Sequence, residues 1–223
     1  MKDNDSAFNS VEYDTKIETV LPYYSEFNKQ IYDLVNVLEL KNLKWLDTGC
    51  GTGNLIYNIK NDYPEAEFVL CDPSENMLAA AKSKFKDMKN VQFRNISSQQ
   101  LDYKSEFNIV TSVQSHHYLG KKQRAKAVEK CYNALKYGGV YITFENISLS
   151  TPESDDIGMK RWKNYMIKNG KTEEETKRHI ARRNTEVFPI TISEHIRLLK
   201  EMGFSTVDML WVSYMQAGFF AVK

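Results

Sequence analysis

Apolar and polar positions along this chain switch between two periods, and the switching predicts its elements. Short apolar runs at Leu43 to Leu46, Glu67 to Cys71, Val91 to Asn95, Phe107 to Val113 and Gly139 to Glu145 read as buried strands. A further stretch, Thr206 to Val222, fits two more. Between them, apolar residues recur at helical spacing: Leu55, Ile56 and Ile59, then Met77, Leu78, Ala81 and Phe85. Lys121 to Leu135 follows, with Ala125, Val128, Tyr132 and Leu135 as its predicted inner face, and Ser193 to Met202 closes the set. Ahead of the first strand, Val11 to Leu40 reads as two helical pieces broken near Pro22, the second placing Phe27, Ile31, Leu34, Val35 and Leu38 on one face. Strands alternating with helices imply a parallel sheet covered on both faces. The expected fold is α/β, a Rossmann-like, doubly wound, seven-stranded sheet.

Two breaks in the pattern carry the chemistry. The first strand ends on an acid, Asp47, and runs into glycines at every second position, Gly49, Gly51 and Gly53. Glycine there allows positive φ and leaves no Cβ between backbone and ligand. The loop opens the helix at Asn54, an arrangement common to nucleotide sites. The second strand ends on Asp72, 19 residues after Gly53, where an acid can accept hydrogen bonds from ribose hydroxyls.

The glycine spacing is Asp-x-Gly-x-Gly-x-Gly rather than the dinucleotide fingerprint G-x-G-x-x-G. It resembles motif I of the class I S-adenosylmethionine (SAM)-dependent methyltransferases. Leu70-Cys71-Asp72-Pro73-Ser74-Glu75-Asn76-Met77-Leu78 is similar to their ribose-binding segment, and Leu135-Lys136-Tyr137-Gly138-Gly139 to the turn before their fifth strand. The resemblance covers roughly residues 40 to 146. It implies SAM as cofactor and S-adenosylhomocysteine as product, with Asp47, Gly49, Cys50, Gly51, Gly53, Asp72, Pro73, Met77 and Gln114 around the cofactor. A Gly-Asp pair is usual in that family where this chain has Ile96-Ser97, so the resemblance leaves Ser97 or Ser98 to meet the adenine amino group.

The flanks resemble a particular branch, the carboxy-SAM synthases and their methyltransferase-like relatives. Phe8 to Tyr24, with Leu-Pro-Tyr-Tyr, carries the likeness, as do Glu194-His195, Leu198 to Phe204, Trp211 and Ala217 to Lys223. Those synthases add a carboxylate to the SAM methyl, using prephenate, and hold it with a lid arginine; Arg178, Arg182 and Arg183 lie in the matching region. The branch has Cys-Ser-Leu-Gly where this chain has Cys50-Gly51-Thr52-Gly53, which favours ordinary methyl transfer.

About 45 residues, Ile147 to Thr191, interrupt the sheet pattern and are expected to form a lid or acceptor pocket on a single domain spanning 1–223, with residues 1–40 as an N-terminal cap. Tyr23, Tyr24, Trp162, Arg178, Arg182 and Arg183 are candidates for acceptor binding, with Arg161 beside them; the aromatics serve equally well as core. Glu173 and Lys177, and Glu174 and Arg178, are spaced to pair along one helix. His116 and His117 follow the fourth strand, where open α/β sheets bind ligands, and either could act as a general base. Adjacent residues on a strand end diverge and no third ligand is apparent, so no metal is expected.

Composition narrows the rest. The chain has 223 residues, 42% hydrophobic, enough for one core, with no apolar run approaching a membrane span and no signal-peptide layout in its polar start. Three cysteines without metal or redox spacing suggest a reduced, cytoplasmic setting. A net charge of +1 argues against a whole-molecule field for nucleic acid, although residues 160–183 hold nine lysines and arginines against three glutamates. Three readings stand: methyl transfer to the O, N or S of a small anionic acceptor, a carboxy-SAM synthase serving tRNA modification, and a silent SAM- or RNA-binding module using Trp162 and Tyr165 for stacking. Both a monomer and a homodimer are compatible.

Overall fold

The computed structural model describes residues 8–223; of the polar start expected to fray, residues 1–7 lie outside the described residues. Asn9 opens the described chain with a turn, its Oδ1 accepting from Val11 N–H at 3.1 Å and Glu12 N–H at 3.0 Å. A short α1 (Tyr13–Lys16) and a tight turn (Ile17–Thr19) precede α2 (Tyr24–Val37), so the break near Pro22 is where the pattern puts it. Phe27, Ile31 and Val35 are the buried face of α2.

The sheet has strands β1 (Lys44–Thr48), β2 (Glu67–Cys71), β3 (Val91–Arg94), β4 (Phe107–Val113), β5 (Leu135–Ser148), β6 (Ile190–Thr191), β7 (Thr206–Ser213) and β8 (Gln216–Val222). Their spatial order is β3-β2-β1-β4-β5-β8-β7, with β6 pairing the end of β5. The first five are parallel, and β8 runs antiparallel between β5 and β7. The crossover helices are α3 (Asn54–Ile59), α4 (Glu75–Lys84) and α5 (Lys121–Ala134), followed by α6 (Pro152–Lys168), α7 (Glu173–Ala181) and α8 (Ile192–Glu201). Strand order reverses between β1 and β4, and the crevice outside their carboxyl ends is where such sheets take ligands.

Period two places neighbours on opposite faces. Trp45 and Ile109 pack with Phe27, Ile56, Phe68 and Phe144, whereas Leu46 and Val110 pack with Val128, Tyr141, Leu199 and Phe219. A third cluster of Ile17, Val20, Leu21, Trp162, Met166 and Met215 joins the N-terminal segment to α6.

Several expectations change. The buried face of α5 is Arg124, Ala127, Val128, Cys131 and Ala134; Val128 and Leu135 are buried as expected, whereas Ala125 and Tyr132 are only partly so, and an arginine is drawn in by buried acceptors. The Leu135 to Gly139 turn is absorbed into β5, whose register with β4 jumps between Phe107 and Ile109. Neither expected pair closes on α7: Glu173 reaches Lys163 of α6 at 2.6 Å instead. The two-residue β6 was too short to read from any pattern.

Candidate functional site

The β1–α3 loop folds back on itself through three left-handed glycines, with φ of +66° at Gly49, +55° at Gly51 and +76° at Gly53. A Cβ on Gly49 would sit 2.4 Å from Ser115 Cβ, and one on Gly53 2.8 Å from Phe85, so the loop is pressed between two neighbours. A Cβ on Gly51 would meet no protein atom within 4 Å, leaving its backbone open to a cavity. Asp72 braces the loop: its carboxylate accepts from Gly51 N–H at 2.8 Å and Ser74 N–H at 2.9 Å. Ser74 in turn caps α4, accepting from Met77 N–H.

The cavity holds about 280 Å³, a volume suited to a small ligand. Asp47, Gly49, Cys50, Gly51, Asp72, Pro73, Met77, Ser97, Ser98, Gln114 and His116 all line it, as does Tyr24. Gly53 does not; it holds the backbone turn from behind. The Asp47 carboxyl accepts from Thr111 Oγ1 at 2.7 Å, and burial pushes its pKa up to about 7 against that hydrogen bond. Burial likewise raises the thiols, that of Cys71 to about 12 and that of Cys50 well above its usual value, so both stay neutral and pack. Ser97 donates to Gln100 Oε1 at 2.9 Å and keeps lone pairs for an incoming donor.

Beyond this cavity lies a smaller chamber of about 40 Å³. Tyr13, Gln114 and Tyr118 line both. His117, Asn146, Trp162, His179, Arg182 and Arg183 complete the inner walls. At roughly 10–15 Å³ per water, 40 Å³ admits about three heavy atoms, the size of a carboxylate.

The two histidines part company here. His116 has both ring nitrogens engaged, Nε2 with Ser98 Oγ at 2.9 Å and Nδ1 with Tyr141 OH at 3.1 Å. Burial lowers its pKa to about 4, so the ring is neutral near pH 7 with both nitrogens in hydrogen bonds. His117 instead faces Glu145, with Nδ1 2.8 Å from Oε2 and its backbone N–H 2.8 Å from the same oxygen. Although burial pushes the Glu145 carboxyl up, the hydrogen bond from His117 and the surrounding imidazoles pull it down to about 2. An ionised carboxylate only accepts, so Nδ1 presents its N–H to Glu145.

Of the acceptor candidates, Tyr24 lines the cofactor cavity but Tyr23 does not. Tyr23 is 53% exposed at a left-handed N-cap and packs on Tyr214. Trp162 is buried and donates to Val20 O at 2.6 Å, so it cannot serve as a stacking surface for RNA. Tyr165 donates to Glu18 O at 2.8 Å. Arg161 turns outward over the Tyr214 ring, and Arg178 lines a separate outer cleft. Arg183 is bound by Asp155 at 2.9 and 3.1 Å, Ser148 Oγ and Ile147 O. Arg182 lines the inner chamber and the outer cleft, meeting Glu186 at 2.7 Å and the Tyr118 ring at 5.9 Å.

Four contributors escaped the sequence reading. Tyr13 lines both cavities, and Glu145 orients His117. Arg124 fixes the loop before α5, donating from Nε to His116 O at 3.2 Å. Asp14 clamps the N-terminal segment to the glycine loop, accepting from Thr52 Oγ1 and Asn54 Nδ2, both at 2.6 Å, and pairing with Lys84. No group of metal-ligating side chains occurs among the described residues, and none of their helices is long and apolar enough to cross a membrane.

Comparison with known proteins agrees with this geometry. Residues 46–139 match the methyltransferase domain family. The match spans less than half of the chain and gives its core as a methyltransferase domain with SAM as cofactor. The chain is similar to the carboxy-SAM synthase of Staphylococcus epidermidis, 25% identical over 95% of this chain and 92% of that protein. The Helicobacter pylori carboxy-SAM synthase is 28% identical over 91% of this chain and 87% of that one. A SAM-dependent methyltransferase of Thermotoga maritima shares the fold, with a TM-score of 0.63 at 15% identity, covering 96% of this chain and 95% of that one.

Proposed function

We propose that this protein transfers the methyl group of SAM to a small anionic acceptor held in the inner chamber. The observation that carries this reading is the chamber itself, which meets the cofactor cavity at Tyr13, Gln114 and Tyr118 and brings Arg182 and His117 together. When bound, SAM supplies an electrophilic methyl on a sulfonium centre. Asp72, on the wall of the cavity, accepts from the ribose hydroxyls. Ser97 accepts from the adenine amino group. Asp47, poised near neutrality by burial, ionises against the methionine ammonium.

On the acceptor side, Arg182 puts its positive charge on the chamber wall, toward a carboxylate or phosphate. His117, its Nδ1–H held by Glu145, takes the acceptor proton on Nε2. Trp162 and the N-terminal segment exclude water from the chamber, and what remains of catalysis is positioning.

A second reading, formation of carboxy-SAM, is favoured by one observation: the similarity to carboxy-SAM synthases runs over more than nine-tenths of the chain and includes the flanks. Product analysis separates the two. Methyl transfer yields S-adenosylhomocysteine and a methylated acceptor, whereas the second reading yields a heavier form of SAM and no S-adenosylhomocysteine.

A further inference from the structure

Gln114 stands where the cofactor cavity and the inner chamber meet, lining both, and its backbone is left-handed at φ +53°. Few side-chain-bearing residues adopt that conformation, and such outliers cluster at functional sites. The turn after β4 brings two donors of this one residue to one carbonyl: its backbone N–H reaches Phe144 O at 2.7 Å and its Nε2 reaches it at 3.3 Å. Nε2 also donates to Gln216 Oε1 at 2.9 Å, and Gln216 Nε2 donates in turn to Asn146 Oδ1 at 3.2 Å. Asn146 and Gln216 are register partners of β5 and β8, which is why the three amides form a row. All three are buried, Gln216 completely. An amide's oxygen and nitrogen are told apart by their partners. A backbone carbonyl only accepts, so Phe144 O fixes Gln114 Nε2 as the atom turned toward it. Gln216 must then present oxygen to Gln114 and nitrogen to Asn146. One carbonyl thus sets the direction of the whole row. What Gln114 leaves for the junction is its acceptor, Oε1, and what Asn146 leaves for the inner chamber is its donor, Nδ2.

We propose that the methyl acceptor is an amine next to a carboxylate: Gln114 Oε1 takes a hydrogen bond from the amine, and Asn146 Nδ2, beside the charge of Arg182, donates to the carboxylate. The proposal rests on the acceptor reading above and narrows it. At about 40 Å³ the chamber admits a carboxylate and little more, so the reacting atom stands at the junction, against Gln114. His117 lines the same small space and takes a proton in that reading, so two groups call for hydrogens on one atom. A hydroxyl or a thiol has one to give, whereas an ammonium has three. In the transfer the nitrogen loses one proton to His117 and bonds to the methyl carbon as the carbon–sulfur bond breaks, its electron pair staying on sulfur. A second N–H remains on Gln114 Oε1 and aims the nitrogen lone pair. Gln216 lines neither space and acts through Gln114 and Asn146, as a positioning residue.

The test is titration calorimetry of the S-adenosylhomocysteine-saturated protein with glycine, glycolate and acetate, which carry an amine, a hydroxyl or only hydrogen beside the same carboxylate. Glycine is expected to bind at least about tenfold more tightly than acetate, with glycolate between them, since the amine's bond to Oε1 is charge-assisted. Gln114→Leu removes Oε1, and Gln216→Leu removes the amide that holds it in place. Each is expected to erase most of glycine's lead while leaving acetate unaltered. Affinity for S-adenosylhomocysteine, expected to be unchanged in Gln216→Leu, shows that the fold and the cofactor cavity survive. No binding of glycine, equal affinities for the three ligands in the parent, or a uniform loss of all three in the variants overturns the proposal. A lead for glycine that vanishes in the variants, with no methylated amine formed in any assay, supports the polarity of the chamber and counts against methyl transfer. Methyl transfer to a hydroxyl or a carboxylate, with no preference for glycine, overturns the amine and leaves the proposed function standing.

Discussion

Asp72 holds the glycine loop and faces the cofactor cavity at once, and both duties follow from where β2 ends. Each of its two oxygens accepts one backbone N–H. Asp72→Asn keeps one carbonyl acceptor but loses the charge, and a hydrogen bond to a charged group is worth about 1.5–3 kcal/mol. Affinity for S-adenosylhomocysteine should therefore fall at least about tenfold, with cooperative melting retained. Unchanged affinity by calorimetry in a folded Asp72→Asn protein would remove Asp72 from the ribose. This residue was legible in the sequence because strand, loop and acid are contiguous, and the same holds for Asp47 and Gly51. Glu145 was not. Its significance lies in a contact with His117, 28 residues away, and on the sequence it is only the first charge in an apolar strand. Tyr23 and Tyr24 could not be told apart either, since one backbone turn at the start of α2 decides which of them looks inward.

Among the elements, the N-terminal segment and the insertion after β5 pack against each other. Ile17, Val20 and Leu21 pack against Trp162 and Met166, and Asp14 ties the segment to Thr52, Asn54 and Lys84. An insertion over residues 147–191 was legible from its length and polarity, but its partner was not, because nothing local relates residue 20 to residue 162. The packing also divides the insertion. Helix α6 buries Trp162, Met166 and Gly158, the last so close to Met215 that a Cβ would lie 2.4 Å from its sulfur. By contrast α7 buries only Thr176. Local stability follows buried contacts. Hydrogen exchange on adding S-adenosylhomocysteine should accordingly slow over residues 13–22, which reach the cofactor cavity through Tyr13, and change little over 152–168. Equal exchange over 13–22 with and without the ligand would show that this segment does not close on the cofactor.

The molecule as a whole buries its site on a layer of neutral imidazoles, and this sets its response to acid. His116, His179 and His195 are each lowered to about 4, with burial the first cause. Among the described residues, His195 Nε2 has no hydrogen-bond partner, while its ring stacks on Phe219 at 4.8 Å. In the unfolded chain these groups take up protons below about pH 6.5, and in the fold only near 4, so the unfolded state binds more protons across that window. Stability is therefore full above pH 6.5 and lost as pH falls toward 4, by up to about 1.4 kcal/mol per pH unit for each histidine. Glu145, lowered to about 2 from 4.5, adds stability that is present above pH 4.5 and lost between there and 2. Thermal melts should show Tm falling from pH 6.5 to 4.5, with a shallower fall in His195→Phe; a flat profile would mean that these imidazoles are not neutral in the fold. The central claim, that the sheet's switch point serves methyl transfer from SAM to a small anion, is met most directly by mass spectrometry. The purified protein would be incubated with methyl-labelled SAM and a set of small carboxylates and phosphate esters, and both nucleotide and acceptor would be weighed. The prediction is S-adenosylhomocysteine together with an acceptor carrying the labelled methyl. SAM that keeps its label and gains a carboxylate, with no S-adenosylhomocysteine formed, would contradict it.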